Sequence, residues 1–317
     1  MANRYRIVFA GTPAFAVPSL AALIASNHDV VAVYTQQDRP SGRGQKQHIS
    51  AVKELALQHN IAIEQPLNFK QQDAVEQLKS YQPDILVVVA YGLILPQSIL
   101  DIPRLACLNV HASLLPRWRG AAPINHAILA GDTTTGVSIM ELALALDAGP
   151  VYVQKSCEIT ATTNALDLHD DLSELGSQAL ITTIDEYIAR SIKPVDQDDS
   201  LACYAHKMTK QDGEINLNKN AIDIIRHINA MQPWPGAYFY YDDKIIKVFD
   251  AFMVTDFKSQ NTAEIISWNR GGLTISCVDR AITITKLQLP GKKAMSASEI
   301  WSGHRDLFKI GNSINTL

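Results

Sequence analysis

Ile85-Leu-Val-Val-Val-Ala90 decides the fold: six apolar residues in a row, too short to cross a membrane and without the alternation of a half-exposed strand. A strand of this kind is buried on both faces, which a parallel sheet covered by helices on each side requires. Toward the amino terminus, Ile7-Val-Phe-Ala10 and Val30-Val-Ala-Val-Tyr34 are similar runs, separated by the amphipathic stretch Phe15 to Ser26. Between Tyr34 and Ile85 lie a helix-like stretch from Ser50 to Asn60, apolar Ile61-Ala-Ile63, and a second helix-like stretch from Ala74 to Tyr81. Toward the carboxyl terminus, Cys107 to Val110, Val137 to Met140 and Val151 to Ile159 supply further strands. Asn164 to Arg190 then places Leu168, Leu172, Leu175 and Ala179 at helical spacing. The expectation is an α/β domain with a mostly parallel sheet.

The texture changes at Ser191. Through Ser200 the chain has Pro194 and the acidic cluster Asp196, Asp198 and Asp199 with almost no apolar content, and reads as a linker. One more helix-like segment follows, Ala221 to Met231. Five short strands come next, Gly236 to Tyr241, Lys244 to Val254, Ala263 to Trp268, Leu273 to Val278 and Ala281 to Leu289, a pattern of a small barrel or sandwich. The division expected is 1–190, a connector 191–203, and 204–317.

With 47% hydrophobic and 19% charged residues in 317, the chain has the composition of a globular protein, neither disordered nor fibrous. Met1 to Arg6 leads straight into the first strand without the long apolar region of a secretory signal, so a cytoplasmic location is expected. Cys107, Cys157, Cys203 and Cys277 show no C-x-x-C spacing, which points to buried thiols and away from a disulfide framework or a metal site. The net charge of -4 argues against a generic nucleic-acid coat. It is unevenly distributed, however. Residues 1–140 carry eleven basic and nine acidic side chains, 141–200 three and twelve, 201–260 seven and seven, and 261–317 seven and four. Local sign governs phosphate contact, so RNA stays admissible as a partner.

Polar side chains interrupt the end of one expected strand, in Cys107-Leu-Asn-Val-His-Ala-Ser-Leu-Leu-Pro116. Asn109 and His111 are two apart and project from one face of an extended strand. Open α/β sheets bind ligands at the carboxyl ends of their strands. An amide beside an imidazole suits the polarisation of a carbonyl and the holding of an oxyanion. The alternative is a structural asparagine and a satisfied core histidine. Asp147, in Leu144-Ala-Leu-Asp-Ala-Gly-Pro150, is a carboxylate in an apolar stretch, either a proton acceptor or a turn former. Phe9-Ala-Gly-Thr-Pro13 presents backbone N–H groups as an anion site does, or simply starts a helix; it lacks G-x-G-x-x-G, which disfavours NAD and ATP. Gln36 to Lys46, with Arg39, Arg43 and Lys46, is long for a strand–helix connection and reads as a binding loop or a solvated insertion. Trp118 between Arg117 and Arg119 stacks on a base or packs its own turn.

Assembled, these residues resemble the methionyl-tRNA formyltransferases, a branch of the formyltetrahydrofolate-using formyltransferases, nearly end to end. The motifs are Phe9-Ala-Gly-Thr-Pro13 with Phe15-Ala-Val-Pro18, Asp38-Arg-Pro-Ser-Gly-Arg-Gly44, Val89-Ala-Tyr-Gly-Leu-Ile-Leu-Pro96, Asn109-Val-His-Ala-Ser-Leu-Leu-Pro-Arg-Trp-Arg-Gly120, Leu146-Asp-Ala-Gly-Pro150, Tyr204-Ala-His-Lys-Met208 and Trp234-Pro-Gly-Ala-Tyr238. The resemblance implies a doubly wound, Rossmann-like catalytic domain that binds 10-formyltetrahydrofolate, followed by an OB-like carboxyl-terminal β-barrel for tRNA. It implies a catalytic trio of Asn109, His111 and Asp147. It also implies a folate site at Ser113, Leu114, Leu115 and Pro116 and along Tyr91, Gly92, Leu93, Ile94, Leu95 and Pro96. Initiator methionyl-tRNA would be contacted by Arg39, Arg43, Lys46 and Lys207. No metal and no membrane is implied, and the chain is expected to work as a monomer.

Five positions depart from the family pattern: Gln37 where proline is usual, Gln45 and Gln47 where basic residues are frequent, Ala145 for a glycine and Leu217 for a tryptophan. They bear on affinity more than on the trio. Rival readings are a formyltransferase for an amino-sugar nucleotide or glycinamide ribonucleotide, a formyltetrahydrofolate hydrolase, and a non-catalytic tRNA-binding protein.

Overall fold

The computed structural model describes residues 4–41, 46–255, 257 and 261–314. The chain forms two compact units, one of residues 1–123, 134–158 and 169–205, the other of 124–133, 159–168 and 206–317.

Along the first unit β1 (Arg6–Gly11) leads to α1 (Val17–Ala25) and β2 (Asp29–Tyr34). A small hairpin of β3 (Arg39–Ser41) and β4 (Lys46–His48) precedes α2 (Ala51–Gln58), β5 (Ala62–Glu64), α3 (Gln72–Ser80), β6 (Ile85–Val89), α4 (Gln97–Leu100) and β7 (Ala106–His111). After β8 (Arg119–Gly120), and past α5 (Pro123–Ala130), which belongs to the other unit from residue 124 on, come β9 (Thr134–Glu141), β10 (Val151–Glu158), the long α6 (Ala165–Ile188), which joins this unit at residue 169, and β11 (Tyr204–Ala205). The large sheet runs β10-β9-β7-β6-β1-β2-β5. Its five central and outer strands from β7 to β5 are parallel, and the chain reverses its direction of winding between β1 and β6, as the doubly wound expectation requires. β9 and β10 are antiparallel to their neighbours. For the β9–β10 pair the reason lies in the connection: residues 142–150 hold no helix, and a parallel pair needs a crossover of a dozen or more residues.

All of β6 is buried, as its unbroken apolar run demands. Its Leu86 and Val88 join Val8, Tyr34, Phe69, Tyr91, Ile99 and, from α3, Val75 and Leu78 in one cluster. Burying such a side chain contributes about 1.5–3 kcal/mol. Leu78→Ala should therefore cost about 2–5 kcal/mol, read as a lowered urea midpoint with an unchanged slope.

In the second unit α7 (Ala221–Ala230) buries Ala221, Ile224, Ile225 and Ile228, a helical stripe, and Asp279 Oδ1 accepts from the Ala221 N–H at 2.8 Å in place of a cap from Asn220. β12 (Ala237–Tyr241), β13 (Lys244–Val254), β14 (Ile265–Asn269), β15 (Gly272–Ser276) and β16 (Ala281–Gln288) form an antiparallel sheet in the order β12-β13-β16-β15-β14, with β17 (Met295–Ser296) on β16 ahead of α8 (Ala297–Gly303). This is consistent with a small barrel; among the described residues no pairing joins β12 to β14. Leu217, one of the departures, is wholly buried in this unit. No helix among the described residues is long and apolar enough to cross a membrane.

Candidate active site

The carboxyl ends of β1, β6 and β7 carry the polar residues that the sequence singles out. Asn109 and His111 lie on β7, 8% and 6% exposed. The Asn109 amide makes no hydrogen bond to another described residue and is not one of the side-chain groups buried without a partner, so its polar atoms reach solvent. His111 Nε2 lies 2.9 Å from the Trp118 carbonyl. A carbonyl only accepts, so Nε2 carries a proton and Nδ1 is the nitrogen that gains or loses one. Nδ1 faces Asp147 Oδ2 at 3.7 Å. The same Oδ2 accepts from the Gly120 N–H at 2.8 Å, which aims the carboxylate. These contacts bring His111 and Asp147 together within the first unit, and Asn109 stands two residues earlier on the same strand.

The surrounding backbone is bent into unusual conformations. Ala90, Trp118 and Asp147 have φ of 47°, 62° and 47°. Left-handed backbone in residues other than glycine costs about 1–3 kcal/mol each and persists where the surroundings over-determine it. Gly92, at φ 81°, is a glycine for a second reason as well: a Cβ there would lie 2.3 Å from Gln36 Nε2. That amide donates to the Tyr91 carbonyl at 3.1 Å, and Thr12 Oγ1 donates to the same oxygen at 2.9 Å. The Phe9 to Pro13 turn thus serves to fix the backbone of Tyr91. The Tyr91 ring is buried near Phe69, whereas Ile94 is 91% exposed, with Leu144 and Leu146 also exposed beside Asp147 in the chain. Gly92, Leu93, Leu95 and Pro96 complete this loop between β6 and α4.

Ser113 to Pro116 is held by Ser138, a residue that the sequence reading passed over. Ser138 Oγ donates to the Ser113 carbonyl at 2.7 Å and accepts from Leu115 N–H at 3.0 Å and from Gln154 Nε2 at 3.0 Å. Its signal was available: a lone hydroxyl inside the apolar run Val137 to Met140. Ser113 Oγ donates to the Arg117 carbonyl at 2.6 Å, Leu114 accepts from the Arg117 N–H at 3.2 Å, and the Leu115–Pro116 bond is cis. The Arg117 guanidinium sits 4.4 Å from the centre of the Trp118 ring, so that ring packs on its neighbour.

The long loop is a hairpin at its base. Arg39 is exposed at the start of β3; Lys46 begins β4; Arg43 and Gln45 lie outside the described residues. The root is clamped: Lys53 Nζ donates to Asp38 Oδ2 at 2.6 Å and to Gln65 Oε1 at 2.7 Å, and Gln65 Nε2 donates to Asp38 Oδ1 at 2.9 Å. The bonds from Lys53, then Gln65, hold the Asp38 carboxyl below the usual carboxylate range. The stabilisation is complete above the ordinary aspartate pKa and is lost as pH falls through the lowered value. Gln37 donates from its side chain to the Gln65 carbonyl at 3.4 Å, Gln47 lies within β4, and Ala145 is exposed in the turn ahead of Asp147. Lys207 is an exposed residue of the second unit. A separate groove, lined by Arg6, Lys79, Asp84 and Arg104, opens at the opposite, amino-terminal ends of β1 and β6, away from where such sheets react.

The family described as Formyl transferase matches residues 5–184, and its C-terminal domain matches residues 207–305. The chain belongs to the formyl transferase family. Among its relatives, the methionyl-tRNA formyltransferase of Pseudomonas fluorescens (strain SBW25) is 46% identical over 317 residues, covering 100% of this chain and 99% of that protein. The methionyl-tRNA formyltransferase of Pseudomonas putida (strain GB-1) is 46% identical over 306 residues, 96% of this chain and 98% of that one. Solved structures share the fold at low identity. HypX from Aquifex aeolicus, in complex with tetrahydrofolic acid, aligns with a TM-score of 0.66 at 14% identity over 99% of this chain, which spans 51% of the length of HypX. The sugar 3N-formyl transferase WlaRD aligns with a TM-score of 0.66 at 19% identity, covering 92% of this chain and 100% of that one.

Proposed function

We propose that this enzyme transfers the formyl group of 10-formyltetrahydrofolate to the α-amine of methionine on initiator tRNA, giving N-formylmethionyl-tRNA. The observation that carries the reading is the Asn109 amide, unpartnered among the described residues on the strand that also holds His111, with Asp147 facing the imidazole. The exposed Ile94, Leu144 and Leu146 suit a flat aromatic donor, and the fixed backbone from Tyr91 to Pro96 and Ser113 to Pro116 offers it polar edges. The clamped hairpin bearing Arg39 is assigned to the acceptor stem, as are Lys46 and Arg43, the latter outside the described residues, and Lys207 is assigned to the charged end of the tRNA.

The α-amine attacks the formyl carbon in its neutral form, which is abundant near pH 7 because a free α-amino group titrates at about 7.7–8.0 and esterification lowers that. A C–N bond forms and the carbonyl electron pair moves to oxygen, where the Asn109 amide donates to it and the positive charge of the protonated His111 stabilises it. The nitrogen that attacked carries a proton too many. Asp147 accepts that proton through water, and its negative charge faces the imidazolium edge of His111. Collapse re-forms the carbonyl and breaks the bond to N10 of the folate, which leaves with the proton that Asp147 took up, returned through water. The enzyme acts, in this reading, as a cytoplasmic monomer.

Incubating the enzyme with labelled formyl donor and charged initiator tRNA should give labelled formyl-methionine. Formate release without acceptor, or transfer to an amino sugar alone, would overturn the assignment.

A further inference from the structure

The stretch between α6 and β11 has the composition of a passive connector, yet it makes the contacts that hold the Asp147 turn. Val195 bridges Val151 at the start of β10 through two backbone bonds of 2.8 Å each. Two residues on, Gln197 Nε2 donates to the Asp147 carbonyl at 2.8 Å and to the Gly149 carbonyl at 2.7 Å. Its Oε1 accepts from Arg119 Nε at 3.0 Å. Arg119 is only 3% exposed and its Nη2 reaches Asp199 Oδ1 at 2.7 Å, so the arginine is itself fixed from the same stretch. The next residue, Gly120, donates to Asp147 Oδ2.

These bonds close a ring. Asp147 is held by its carboxylate through Gly120 and by its main-chain carbonyl through Gln197, and Arg119 joins the two holds. The ring encloses a residue in left-handed backbone at φ 47°, a conformation that needs support from outside its own turn. Gly149 is constrained as well, since a Cβ there would lie 1.9 Å from the Glu141 carbonyl oxygen.

We infer that Gln197 is a positioning residue for formyl transfer, acting through Asp147, and that the stretch 195–199 is part of the site's machinery. Only an uncharged amide serves all three bonds: two donations to carbonyls and one acceptance from a guanidinium. A carboxylate of the same shape keeps Arg119 and loses both donations. The inference rests on the reading of Asp147 as the proton acceptor.

The test is steady-state transfer from 10-formyltetrahydrofolate to charged initiator tRNA by the full-length enzyme. Gln197→Ala and Gln197→Glu should each lower kcat about 10- to 100-fold, with KM for both substrates within about twofold of the parent, since a displacement of about 1 Å at a reacting group costs up to that much. Gln197→Glu retains the Arg119 partner and the side-chain volume, so it reports on the two donations even where the alanine variant folds poorly. In an Asp147→Asn background, measured in single turnover, either substitution should add less than about threefold, because the group it positions is gone. An unchanged kcat in Gln197→Glu, or a full multiplicative loss in the Asp147→Asn background, overturns the inference. Near-native turnover of Asp147→Asn alone is a different result and removes the reading of the site itself.

Discussion

Asp147→Asn should lower kcat by about 10²–10⁴-fold and be the most damaging single change in the chain. Asparagine keeps an oxygen to accept the Gly120 N–H and tolerates left-handed backbone, so the fold and the position of the turn should survive. What goes is the charge facing His111 Nδ1 and the capacity to take the ammonium proton before the intermediate collapses. Both losses fall on the chemical step, so KM should move little. A variant that turns over at near-native rate would remove Asp147 from the mechanism.

Asn109→Ala comes second, with an expected loss of about 10²–10³-fold in kcat and a modest change in KM, the usual cost of losing one oxyanion donor. The side chain is on β7 between β6 and β9, where Val88 and Met140 are its register partners, and it makes no protein hydrogen bond that the substitution would break. Stability should therefore hardly fall, and the loss can be read as transition-state stabilisation. Near-native turnover at saturating substrates would show that the amide faces the site without touching the reacting oxygen. His111→Ala should cost at least as much as Asn109→Ala, because it removes the charge beside the oxyanion together with the group that Asp147 faces.

The parts of this fold legible in the sequence are those whose physics is local. The unbroken apolar run of β6 marks a strand buried on both faces, and Asn109 and His111 stand out because they break the next such run. The antiparallel setting of β10 on β9 was hidden, because it depends on what the connection between them lacks. The hairpin of β3 and β4 was hidden for another reason: three-residue strands carry no periodicity, and Arg39-Pro-Ser reads as a loop. Asp147 was visible as an odd carboxylate, but its meeting with His111 is a long-range contact that no spacing encodes. Gln197 gave no signal, since a polar residue in a polar stretch has nothing to contrast with.

The bridge between Val195 and Val151 also bears on solubility. β10 is the last strand of a seven-stranded sheet, and an open strand edge invites pairing with another molecule. Val195 occupies the beginning of that edge, and beyond it Gln154, Lys155, Ser156 and Glu158 are exposed, polar side chains that discourage a second chain from docking. The opposite margin, β5, is only three residues long. Shortening the chain between α6 and β11 would therefore uncover the first rung of an eight-residue edge, and such a variant should be prone to self-association on concentration as well as slow in transfer.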